Sequence, residues 1–398
     1  MREVVIVDAV RTPIGRYKGA LKDVRPDDLA AYVIKGIVDR QSNLPVDDIE
    51  EVILGNANGA GEENRNVARM AVLLAGLPTN ITGTTVNRLC GSGLDAVNMA
   101  ARAIMVGDGD IYIAGGTESM TRAPFVMAKP SKEFPRGNME LIDTTIGWRF
   151  TNPKLESMYG SDSMPRTAEN VAQKYKISRE EQDEFAYDSQ MKAKEAMKRN
   201  RFKDEIIPVT YEIKGEIITV DTDEHPRPNT NLEALSKLRP IFKEGTITAG
   251  NASGVNDGAS ALLLMSAEKA KELGIKPLAR YVSSGTAGVE PAYMGLGPIK
   301  ASQKAMKRAG ITVNDIDLVE LNEAFASQSL ECINQLSLNK EIVNVNGGAI
   351  AFGHPLGASG ARILTTLVHE MKKRDAKKGL ATMCIGVGQG IATIVENM

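Results

Sequence analysis

Val46-Asp47-Asp48-Ile49-Glu50-Glu51-Val52-Ile53-Leu54 is echoed far downstream by Val313-Asn314-Asp315-Ile316-Asp317-Leu318-Val319-Glu320-Leu321. Ile49 pairs with Ile316, Val52 with Val319 and Leu54 with Leu321, and 316 − 49, 319 − 52 and 321 − 54 all equal 267. The same offset carries Ser92-Gly93 onto Ser359-Gly360. A constant spacing across separate motifs marks an internal duplication. Each copy then closes on an apolar run entering glycines, Ile113-Ala114-Gly115-Gly116 in one and Cys384-Ile385-Gly386 in the other.

Working outward, Val4 to Val7, Val52 to Leu54, Ile111 to Ala114, Val319 to Leu321 and Ala381 to Ile385 are short apolar runs suited to strands buried on both faces. Between them lie helical patterns. Leu94, Val97, Ala101, Ile104 and Met105 share a face over residues 92–105, and Ile363, Leu364, Leu367, Val368 and Met371 do so over 361–374. Strands alternating with helices predict an α/β fold whose sheets are covered by helices. Residues 120–248 differ. About one residue in three there is charged, against about one in five elsewhere. A solvent-facing helix is expected over residues 178–200, opened by a capping box of Ser178 and Glu181. An insertion of this size between core elements suits a lid or specificity wall. The expected division is residues 1–119 with 249–270, the insert 120–248, and residues 271–398.

Composition narrows the function. The 398 residues carry 48 basic and 50 acidic side chains, a balance that argues against bulk binding to nucleic acid. No apolar run approaches the about 18 residues needed to cross a bilayer, and no signal peptide is read at the start. Three cysteines, Cys90, Cys332 and Cys384, are too few for a disulfide framework, which favours a reducing, cytoplasmic setting.

Cys90 stands in Val86-Asn87-Arg88-Leu89-Cys90-Gly91-Ser92-Gly93, just before a helix, where the helix dipole and free N–H groups favour a thiolate. A buried structural thiol is the other reading. His354 follows Gly353 in the loop Gly347 to Gly360 and is the strongest candidate base. His225 lies in a charged loop and His369 on a helix flank, both positions typical of solvated or structural histidines. Cys384 ends a strand that enters Gly386-Val387-Gly388-Gln389-Gly390. Those glycines suit backbone N–H groups that stabilise an oxyanion better than they suit a dinucleotide, because no βαβ unit follows. Asn322, after the strand ending at Leu321, either positions a water or substrate carbonyl or caps the next helix. Neither metal-ligand spacing nor a Gly-x-Ser-x-Gly elbow is present.

Together, residues 86–93, Asn322-Glu323-Ala324-Phe325, Thr248 to Gly258, Gly347 to Arg362 and Cys384 to Gly386 resemble the thiolases over nearly the whole chain and in order. The resemblance implies two similar five-stranded α/β halves with a loop domain inserted in the first. It implies Cys90 as acylated nucleophile, His354 as its base, Cys384 as second acid/base, and Asn322 holding a water at one oxyanion site. The N–H groups of Cys90 and Gly386 would form the other. By the same likeness Ser253 would touch the pantetheine, Ala249 would belong to the substrate and CoA site, and Arg227 and Phe242 would lie near the CoA nucleotide. Leu155, Met164, Met294 and Phe325 would line the acyl pocket. No permanent cofactor is implied: coenzyme A and acyl-CoA are substrates, and the expected assembly is a homodimer or homotetramer.

Two substrate readings stay open. Acetoacetyl-CoA thiolases often carry His-Met-Gly where this chain has Ser163-Met164-Pro165, and Gly where it has Val387. Gly147-Trp148-Arg149-Phe150 with Ser163-Met164-Pro165 is instead similar to 3-oxoadipyl-CoA thiolases, in which case Arg149 or Arg166 would meet a substrate carboxylate. Rival functions are a decarboxylating ketosynthase, a silent CoA or lipid binder and a cysteine hydrolase. The second thiol disfavours the first, and the joint presence of Cys90, His354 and Cys384 the second.

Overall fold

The computed structural model describes residues 1–398. The first half contains β1 (Val4–Arg11), α1 (Pro26–Asp39), β2 (Ile49–Gly55), α2 (Val67–Leu74), β3 (Thr82–Val86), α3 (Ser92–Val106) and β4 (Ile111–Ser119). The insert carries α4 (Pro153–Tyr159), α5 (Met164–Tyr175) and α6 (Arg179–Lys198), and β5 (Asn256–Ser266) returns to the first half. The second half contains β6 (Ala279–Gly288), α7 (Gly297–Ala309), β7 (Leu318–Leu321), α8 (Ala326–Gln335), α9 (Leu356–Arg374), β8 (Lys378–Ile385) and β9 (Gln389–Asn397).

The duplication is visible in the topology. The first half-sheet runs β3-β2-β4-β5-β1 and the second β7-β8-β9-β6, with β2 parallel to its neighbours and β7 parallel to β8. They join at β1 and β6, where Ile6 pairs with Ala279, into one ten-stranded sheet that also takes in Gly15–Arg16. β4 begins at Ile111 and β8 at Lys378, and 378 − 111 is again 267. The second half differs at one edge. Where the first has β3, the second has a single parallel bridge from Val343 to Val319, because Asn344 turns at once into a left-handed conformation (φ +45°) and ends the extended run.

Successive side chains of a strand point to opposite faces, so both faces need cover. Ile111 and Ile113 face α1 and α2, whereas Tyr112 and Ala114 face α3 and α9. Those two helices form a central layer between the half-sheets, and α7 and α8 cover the outer face of the second. The repeated Ser-Gly pair explains how α3 and α9 come so close. A Cβ on Gly93 would lie 2.6 Å from the Gly357 carbonyl oxygen, and one on Gly360 would lie 2.4 Å from the Leu94 nitrogen. Only glycine allows each helix to back onto the other at this crossing.

α6 starts at the expected capping box, with Ser178 and Glu181 bonding each other's backbone N–H. It is not wholly solvent-facing, as its charge content suggested. Ala186, Ser189, Gln190, Ala193 and Ala196 are buried, the small residues letting the helix lie against α8 and residues 349–352. No helix is long and apolar enough to cross a membrane.

Candidate active site

The loop bearing Cys90 is tied at both ends. Ser92 accepts a hydrogen bond from the Arg88 N–H (2.8 Å) and donates to the Leu89 carbonyl (2.6 Å). Asn87 accepts from the Leu89 N–H and donates to the Ala57 carbonyl, both at 2.9 Å. Leu89 is forced into the left-handed region at φ +47°. Its counterpart across the site is Val387, at φ +63°, immediately after Gly386. A β-branched residue there is an outlier, and such conformations each cost about 1–3 kcal/mol, held by the surrounding structure.

The two loops meet. A Cβ on Gly386 would touch Leu89 Cδ1 (3.3 Å) and Met164 Sδ (3.7 Å), and one on Gly91 would run into Ile385 Cδ1. The N–H groups of Gly386 and of Cys90 itself are directed at the Cys90 sulfur, which pulls its thiol pKa down, but burial outweighs them and pushes it up to about 11. The pull expected of the helix start is present in those N–H groups, and desolvation of the half-buried side chain acts against it. Cys384 is buried at the end of β8, and its thiol is raised well above the ordinary value by burial and then by the neighbouring Cys90 and Cys332.

His354 is buried, and its imidazole is held down at about 3, first by burial and then by Arg362. Its backbone N–H donates to Asn256 Oδ1 (3.0 Å), and its ring Nδ1 lies 2.6 Å from Ser359 Oγ. Burial favours the uncharged form of both thiols and of the imidazole, an environment suited to proton transfer from Cys90 as an electrophile arrives.

Asn322 is fully buried, and neither its Oδ1 nor its Nδ2 has a partner in the protein. It does not cap α8, whose N-cap is Phe325. Of the two readings its sequence left open, the one that needs a guest for the carboxamide remains. Cys384, Met294 and Phe325 pack in one apolar cluster with Met164 at its margin, and Ser253 joins them by donating its N–H to the Ala324 carbonyl (3.0 Å). Leu155, half-buried on α4, and exposed Ala249 stand outside that cluster. Phe242 is covered by the Arg166 guanidinium, 3.7 Å from its ring centre. Arg227 lines a separate cleft of about 570 Å³ with Arg16 and His225.

His225 reaches the site indirectly, its Nδ1 lying 3.3 Å from Nδ2 of the same Asn256 that holds His354. His369 is structural, with Nε2 2.7 Å from the Ala9 carbonyl. The glycine run 386–390 forms the β8–β9 hairpin and opens no helix, which removes the dinucleotide reading. Ser359 and Asn256 were not singled out by sequence. The one signal for Ser359 was its place in the repeat.

A fold duplicated about two crossed helices, with thiols and a neutral imidazole at the loops where the halves meet, suits acyl transfer between thiols. The chain belongs to the thiolase family: residues 4–268 match the thiolase N-terminal domain and residues 275–397 the thiolase C-terminal domain. It is an acyltransferase of that family. It is 55% identical to the 3-oxoadipyl-CoA/3-oxo-5,6-dehydrosuberyl-CoA thiolase of Escherichia coli strain K12 and 55% identical to the beta-ketoadipyl-CoA thiolase of Pseudomonas putida, each over 100% of both chains. The acetyl-CoA acetyltransferase of Chromobacterium violaceum is 50% identical over 99% of each chain. The crystal structure of the Bacillus anthracis acetyl-CoA acetyltransferase superposes with a TM-score of 0.94 at 41% identity, covering 100% of this chain and 99% of that one.

Proposed function

We propose that this thiolase cleaves a 3-oxoacyl-CoA bearing a terminal carboxylate, with 3-oxoadipyl-CoA as reference substrate. The observation that carries this reading is full-length identity of 52–55% to relatives named for that substrate. Arg149 supports it. Its guanidinium bonds Oδ1 and the carbonyl of Asn58 and pairs with no carboxylate, while the neighbouring Trp148 donates to the Asp162 carbonyl beside Met164. Arg166, stacked on Phe242, likewise pairs with no carboxylate.

In this reading His354 takes the Cys90 proton as sulfur attacks the C3 carbonyl. The C2–C3 bond breaks, and the departing enolate takes a proton from Cys384 and leaves as acetyl-CoA. The incoming CoA thiol then gives its proton to the Cys384 thiolate and attacks the acyl-Cys90 carbonyl, the C–S bond to Cys90 breaks to release the shortened acyl-CoA, and the Cys90 sulfur takes back the proton held by His354. N–H groups of Cys90 and Gly386 stabilise the oxyanion in the acyl-transfer steps, and a water held by Asn322 with His354 stabilises the enolate. Coenzyme A is substrate, and no permanent cofactor takes part. Ser253 and Ala249 meet the pantetheine, Arg227 and Phe242 the nucleotide, and Leu155, Met164, Met294 and Phe325 the acyl chain.

Three domains are proposed, with boundaries at 119/120, 248/249 and 270/271. A cytoplasmic location is proposed as well, and so is a homodimer or homotetramer; the assembly is supported by the exposed Phe125, Phe134, Leu141, Ile146 and Phe150 of the insert, a concentration of apolar surface that a monomer rarely leaves uncovered. Thiolysis of acetoacetyl-CoA, a longer 3-oxoacyl-CoA and 3-oxoadipyl-CoA, measured side by side, tests the substrate. The expected kcat/KM is highest for 3-oxoadipyl-CoA by about tenfold or more, as one charge-assisted contact gives. A higher value for acetoacetyl-CoA would reverse the assignment.

A further inference from the structure

We propose that Glu118 is a positioning residue for acyl transfer, its carboxylate clamping the loop after β2 to the first turn of α9 so that the Cys90 and His354 loops keep their register. The proposal rests on the roles assigned above to those two residues.

Glu118 is buried at the end of β4, and its carboxylate accepts four hydrogen bonds from both halves of the fold. Oε2 takes the N–H groups of Ala57 and Gly357, each at 2.8 Å, and Oε1 takes the N–H of Asn58 (3.1 Å) and Nδ2 of Asn56 (3.4 Å). Ala57 in turn receives Asn87 of the Cys90 loop, and Gly357 stands three residues after His354. The space is filled: a Cβ on Gly357 would lie 2.7 Å from Glu118 Oε2.

The duplication gives this arrangement a meaning. Because 357 − 90 is 267, Gly357 is the counterpart of Cys90 in the second copy. The N–H group that at Cys90 faces the sulfur is, at Gly357, occupied by a carboxylate from the first half. One copy of the anion-binding turn is thus committed to holding the halves together, leaving the other for chemistry.

The charged or titratable groups facing Glu118 are Glu63, on the loop after β2, and Cys90; the first turn of α9 offers backbone N–H. Burial raises the carboxyl to about 7, against the pull of its N–H donors, so it changes charge near neutrality. Protonation turns one oxygen from acceptor into donor, and an O–H cannot face an N–H.

The test compares the full-length parent enzyme with Glu118→Gln and Glu118→Asp by two rates at Cys90: acetylation by radiolabelled acetyl-CoA across pH 5.5–9, and alkylation by iodoacetamide at fixed pH. In the parent, acetylation rises with pH through a limb near 7. Glu118→Gln is expected to slow acetylation about tenfold or more and to lose that limb, since even a 1 Å misplacement can cost far more. Its alkylation should hold or rise slightly, because burial, the main cause of the raised Cys90 thiol, is unchanged and the smaller push from the Glu118 charge is gone. Glu118→Asp keeps the charge and the limb but not the reach, so its acetylation is slowed at every pH. If Glu118→Gln does not fold, the aspartate variant decides: unchanged acetylation there overturns the proposal. So does parent-like acetylation in the glutamine variant, or a parallel fall of both rates, which would signify structural damage alone. Cys90→Ala run alongside separates the two claims: label surviving in it refutes the nucleophile assignment, not the clamp.

Discussion

Ser359 Oγ lies 2.6 Å from His354 Nδ1 and donates to the Pro355 carbonyl at 3.0 Å. A hydroxyl has one proton, so with that proton on Pro355 it accepts from Nδ1–H, which leaves His354 Nε2 with its lone pair free. The serine thus selects the tautomer that a general base needs. Ser359→Ala frees the ring and is expected to lower kcat for thiolysis about tenfold or more, a part of the 10²–10⁴ that a positioned base supplies. Folding stability should fall by only about 1 kcal/mol. Steady-state kinetics beside urea unfolding checks both.

A neutral resting site is expected, and this sets its pH response. Burial pushes the Cys90 thiol up to about 11 and holds His354 near 3, so both favour the uncharged form and the account predicts no Cys90–His354 ion pair in the free enzyme at neutral pH. Thiolate appears only as pH rises, so alkylation of free enzyme by iodoacetamide should keep climbing above pH 9. A plateau already reached by pH 7, as an ion pair would give, would refute the neutral resting state.

Val387 holds a left-handed conformation that glycine adopts without penalty. Val387→Gly is therefore expected to relieve about 1 kcal/mol of strain, part of it returned through the extra freedom of the unfolded chain. The side chain is 38% exposed, so little packing is lost. A midpoint of denaturation equal to or above the parent's is the expected reading.

Arg149→Met tests the proposed carboxylate contact. Removing one charge-assisted contact costs about 1.5–3 kcal/mol, or roughly 10- to 100-fold in kcat/KM for 3-oxoadipyl-CoA. Turnover of acetoacetyl-CoA, which has no second carboxylate, should change little. An equal loss on both substrates would assign Arg149 to holding Asn58 alone.

Much of this architecture was legible because duplication writes itself twice. The 267-residue offset pairs the strands at 49–54 and 316–321 and the Ser-Gly pairs of two helices in the sequence itself, and the helix crossing, visible only in the structure, explains why those two residues recur. Cys90, His354 and Cys384 stood out because reactive side chains beside glycines are rare in a chain with three cysteines and three histidines. Charge states were not legible. A helix-start thiol reads as a thiolate until burial is known, and burial comes from the other half of the molecule. Glu118 and Asn256 were hidden for the same reason: each acts through backbone N–H groups more than 50 residues away, a relation no local pattern carries. The buried face of α6 was missed because it is built from Ala, Ser and Gln, which give a weak apolar stripe.

The central claim is that one sulfur, Cys90, carries the acyl group between two CoA molecules. The most direct measurement is peptide mass spectrometry of the enzyme quenched after mixing with acetyl-CoA in the absence of free CoA. The account predicts a single acetyl group on the peptide containing Cys90, removed on adding CoA and absent in Cys90→Ala. An acetyl group that remains on Cys384 or Cys332, or turnover surviving without Cys90, would contradict it.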